Sequence, residues 1–122
     1  MFAIQKLLSL PFAGGEIVAG MIAKLESILP STENMPSLVE SVKNAETPLD
    51  LLIDYVNFWA RFTGIEMLKI DRSKGYIISW EEMNSVWRDV LKILKKNASL
   101  PVTLIEAVWV AIANMVPHTA RL

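Results

Sequence analysis

The chain has 122 residues, 52% of them hydrophobic, with no cysteine, one histidine and a net charge of −1. That length fits one domain, residues 1–122, with a core of its own. Zero cysteine excludes disulfides and thiolate metal sites, so an ordinary cytoplasmic or otherwise intracellular location is expected; the near-neutral balance argues against phosphate binding by the chain as a whole.

Taken in order, residues 2–10 read as a short helix stopped at Pro11. One lysine precedes the first apolar stretch, but Glu16 soon follows and residues 13–15 make a poor cleavage site, so no signal peptide is expected. Residues 16–29 form a second helix, ended by Pro30. Along it Gly15, Ala19 and Ala23 recur every fourth residue, a face that lets another helix approach closely. Residues 36–45 form a third, with Leu38, Val39 and Val42 inward. Thr47-Pro48-Leu49-Asp50 then opens a fourth: a Thr cap, Pro at the first helical position and an acid in the first turn. This helix is expected to run to about Leu68. Its polar residues Asp50, Asp54, Asn57 and Arg61 form one narrow stripe, so it should be the central helix.

Residues 80–96 give the clearest helix. Ser79 and Glu82 form a capping box, and Trp80, Met83, Trp87, Val90 and Leu94 follow one seam. Arg88, Lys92, Lys95 and Lys96 decorate the outside, and Asn97 ends the run. A last helix, after Ser99 and Pro101, extends to about Val116 and Pro117. Only residues 76–78 look strand-like, too few for a sheet. The expectation is an all-α, compact bundle of five to six helices.

Charge is uneven along the chain, with residues 26–54 acidic and residues 69–96 basic. The two halves can attract each other within one chain or between copies. The mean hydropathy of +0.36 directs attention to residues 7–23 and 100–117 as membrane segments. Each sits at or below the ~18 residues needed to span, and each carries an acid, Glu16 or Glu106. Such a charge costs roughly 2.5–3.5 kcal/mol at a bilayer centre. A membrane-associated or membrane-inserting protein using these segments is therefore the alternative reading.

The segment from Asp71 to Glu82 resembles an EF-hand calcium loop. Asp71, Ser73, Ser79 and Glu82 stand at oxygen-ligand positions one, three, nine and twelve, and Ile78 at the central apolar one. It departs at Gly75, where a ligand belongs, and at Tyr76, where the turn calls for Gly; Arg72 and Lys74 repel a dication. A connector that binds no calcium, followed by a capped helix, is expected. Glu46, Asp50 and Asp54 share a helix face, but the Glu-x-x-His ligands of di-metal bundles do not occur. His118 lies just past Pro117, in what reads as a loose end. No catalytic triad, phosphate loop or dinucleotide fingerprint is found.

These observations point to a non-enzymatic protein without cofactor, metal or small-molecule substrate. Three nearly all-apolar helices are more than so small a bundle can enclose, so the leftover surface needs a protein partner, most simply another copy. Nucleic acid is not expected as a partner. The candidate interaction surface comprises the small-residue face Gly15, Ala19, Ala23 and the basic stripe Arg88, Lys92, Lys95, Lys96. By analogy of fold, such proteins serve as accessory subunits, structural or inhibitor proteins of viruses and phages, or adaptors.

Overall fold

The computed structural model describes residues 10–29, 37–70 and 79–121. Within them the chain forms five α-helices: α1 (Gly15–Ile28), α2 (Leu38–Asn44), α3 (Pro48–Thr63), α4 (Trp80–Lys95) and α5 (Val102–Met115). A 3-10 turn, His118–Ala120, follows. No strand occurs among the described residues, so the fold is all-α. The expected helix over 2–10, except for Leu10, and most of the calcium-loop resemblance, residues 71–78, lie outside them.

Helix α3 is the hub, packing against α2, α4 and α5, while α1 packs against α2 and α5. Its start is the one expected: the Thr47 hydroxyl accepts from the Asp50 N–H at 3.1 Å, with Pro48 in the first turn. Its end corrects the expected boundary near Leu68. Gly64 takes a left-handed conformation (φ 78°) and its N–H closes the last turn onto Ala60 and Arg61. That is the glycine C-cap, at a position where any side chain would be strained. The chain then continues non-helically to Leu68, where Asn57 holds it. The Asn57 Oδ1 accepts from the Leu68 N–H at 2.7 Å, and its Nδ2 donates to the Leu68 carbonyl. Asn57, expected on the wet stripe, is a clamp between helix and loop.

Helix α1 starts at Gly15, one residue earlier than expected, and Gly15 lies against Leu10. A Cβ on Gly15 would come 2.5 Å from the Leu10 Cβ, closer than two carbons can pack. At its other end α1 supplies the start of α2. The Glu26 carboxylate accepts from the Ser37 hydroxyl at 2.6 Å and from the Val39 N–H at 2.8 Å, and Ser37 itself caps Val39. A carboxylate at a helix N-terminus satisfies an orphan N–H and meets the positive end of the helix dipole. Glu26→Ala is expected to cost about 1–2 kcal/mol, read as a lower urea midpoint. An unchanged midpoint would mean that this cap contributes nothing.

The seam of α4 is buried as its spacing predicts: Met83, Trp87, Val90 and Leu94 are all in the core. Trp80 differs. It is half-buried, and Arg121 lies over its ring at 4.8 Å. Arg121 also donates from Nη2 to the Ala113 carbonyl near the end of α5. Residues 118–121, expected to be loose, are thus folded back onto α4 and α5 by a cation–π contact and a helix-end hydrogen bond. The centre is aromatic. Trp59 meets Phe58, Phe62 and Tyr55 edge-on, and Tyr55 lies 6.0 Å from Trp87. The Tyr55 hydroxyl donates to the Ile105 carbonyl at 2.7 Å, tying α3 to α5, and burial pushes its phenol well above the ordinary value.

The three apolar helices fare differently. Among α3 residues only Arg61 is exposed, as befits a central helix. Helix α1 turns outward a face of Ile17, Gly20, Lys24 and Ile28, with Ile17 73% exposed. Helix α5 exposes Thr103, Ala107, Val110 and Asn114. Both are 14 residues long, about 21 Å at 1.5 Å per residue, against about 30 Å of hydrocarbon in a bilayer. Among the described residues, no helix is long and apolar enough to cross a membrane.

Candidate interaction surface

Helix α4 begins with a cap that the sequence specifies. The Ser79 hydroxyl accepts from the Glu82 N–H at 3.2 Å, the bond expected of the capping box. This cap fixes where the helix starts, and helical periodicity decides which side chains share its inward face. Seven-residue steps put Trp80 and Trp87 on the inward side, with Asn84 between them donating to the Trp80 carbonyl at 2.9 Å. Trp87 then stacks on Trp109 of α5, with centroids 5.4 Å apart and planes 5° from parallel. The Trp109 indole N–H is buried and meets no acceptor among the described residues. Its ring is positioned by stacking and packing.

Beside this pair an open groove of about 520 Å³ runs between the two helices. Glu81, Asn84, Trp87, Arg88 and Leu91 line it from α4, and Glu106 and Trp109 from α5. Its floor is aromatic and its rim charged. A second groove of about 260 Å³ lies between α2 and α3, lined by Glu40, Asp54, Asn57, Phe58, Arg61 and Met67 among others.

Arg88, Lys92 and Lys95 on α4, and Lys96 at its C-cap, are exposed. None of them makes a salt bridge among the described residues. Sequence spacing placed these four on one outer face; it did not place Arg88 on the lip of a groove. Gly15 and Ala19 are buried and Ala23 is half-buried. The small-residue face is used for close packing inside the chain, which removes Gly15 and Ala19 from any surface offered to a partner. Glu106, expected with Thr103 and Asn114 on the wet face of the last helix, is instead half-buried and lines the groove with Arg88. The sequence signal for it was available: Glu106 and Trp109 stand three apart, on one side of a helix.

Glu46 is exposed ahead of α3, while Asp50 and Asp54 are half-buried along it. His118 is exposed in the 3-10 turn. Among the described residues no three His, Asp or Glu side chains gather closely enough to hold a metal ion. What the surface offers chemically is an aromatic floor, two carboxylates and a row of cations, a combination suited to non-covalent recognition. No protein-family model, no curated protein and no solved structure matches this chain.

Proposed function

We propose that this protein is a non-enzymatic helical bundle that works through protein–protein contacts and self-associates, in a structural, accessory-subunit, inhibitor or adaptor role. The observation that carries this reading is the α4–α5 face, where a stacked tryptophan pair lies at the base of an open groove rimmed by charges. Aromatic residues at the centre and charged residues at the rim are the common anatomy of protein interfaces, with Trp and Arg prominent among the residues that dominate binding. Ile17 and Ile28 on α1 and Val110 on α5 add exposed apolar area that a monomer leaves in water.

Sedimentation equilibrium at micromolar concentrations tests the reading. The expected result is a mass above the 13.7 kDa of one chain, falling towards it on dilution. A single-chain mass throughout would overturn self-association.

A further inference from the structure

The α4 wall of the groove between α4 and α5 carries both signs, Glu81 near the start of the helix and Arg88 two turns on, and the α5 wall carries Glu106. Neither Arg88 nor Glu106 makes an ion pair or a side-chain hydrogen bond among the described residues. Lys92 follows Arg88 one turn along α4 and is also exposed. Glu106 is half-buried, so it has lost part of its hydration without gaining a counter-charge, and a cation brought to it meets less competition from water than at an open surface.

We infer that this groove receives a second copy of the chain, related by a two-fold axis running along the groove between α4 and α5. Such an axis exchanges the walls. Helix α4 of each copy lies over α5 of the other, and Arg88 of one meets Glu106 of its partner, twice. The surface is then complementary to itself, the condition for a closed symmetric dimer. A two-fold axis crossing the groove at Arg88 would instead lay α4 on α4 and bring the two guanidinium groups together, a repulsive arrangement. The chosen axis also covers Trp109 and Leu91, both half-buried in the single chain, and so gives the interface an apolar centre beneath the ion pairs.

This inference rests on the self-association proposed above, and its test separates the two. Sedimentation equilibrium is run on the natural chain, on Arg88→Glu, on Glu106→Arg and on the chain carrying both changes, with circular dichroism confirming the helical fold of each. Each single change sets like charges face to face and is expected to weaken the dimer about tenfold or more. The two changes together restore opposite charges and should return the affinity to within about threefold of the natural value. Should Glu106→Arg disturb folding, Glu106→Gln removes the charge with little change of shape and is expected to weaken association in the same direction. Assembly that neither single change weakens would overturn this docking and leave self-association standing. Weakening that the double change does not repair would show that the two groups do not meet, and overturns it too. A natural chain that stays monomeric overturns both.

Discussion

Trp87→Ala is expected to lower stability by about 3–5 kcal/mol, the range for truncating a core aromatic residue. Trp87 is only 3% exposed, stacks on Trp109 and lies 6.0 Å from Tyr55, so it joins α4 to both α5 and α3. Removing the indole takes out contacts on both sides at once, and helices built on a rigid core refill such a space only in part. In a chain of this length the loss corresponds to a fall in melting temperature of more than about 10 °C. Trp80→Ala is the comparison. Trp80 is half-buried beneath Arg121, so its truncation costs less. Thermal unfolding followed by circular dichroism measures both. A Trp87→Ala protein that melts at the natural temperature would take Trp87 out of the core and leave the groove without its aromatic floor.

Alkaline pH should destabilise the fold through Tyr55. An unfolded tyrosine ionises near pH 10, whereas burial raises the folded Tyr55 phenol well above that value, and its hydroxyl must keep its proton to donate to the Ile105 carbonyl. A group whose folded pKa is raised contributes its full stability below the unfolded pKa and loses it progressively above. From pH 10 upward, ionisation in the unfolded state therefore draws the equilibrium away from the fold by about 1.4 kcal/mol per pH unit, or about 2–3 kcal/mol by pH 12. Tyr55→Phe removes this dependence and costs about 1 kcal/mol at neutral pH for the lost hydrogen bond. Urea unfolding between pH 8 and pH 12 tests it by comparing the natural chain with the variant, since other groups titrate alike in both. Equal slopes would mean that the Tyr55 hydroxyl is not shielded as its burial implies.

Helix starts and faces were legible in the sequence wherever the governing contact spans three or four residues. Thr47 capping Asp50, Ser79 capping Glu82 and the buried seam of α4 are all of this kind. Local hydrogen bonds and helical periodicity need only the neighbouring side chains, and the thin polar stripe of α3 foretold its central place for the same reason. The end of α3 was also written locally, in Gly64, but the apolar residues that follow carried the expected helix on to Leu68. The structure stops it with the left-handed glycine, and the Asn57 clamp holds the continuing chain. What only the tertiary structure decided are pairings between elements distant along the chain. Glu26 caps α2 from another helix, Arg121 returns to cover Trp80, and Gly15 and Ala19 turn inward. Arg88 and Glu106 come to line one groove because α4 and α5 both pack on α3 and lie side by side, with Trp87 stacked on Trp109. Each of these depends on the angle and separation at which helices pack, which follow from the fit of whole side-chain surfaces and not from the spacing of residues within a single helix.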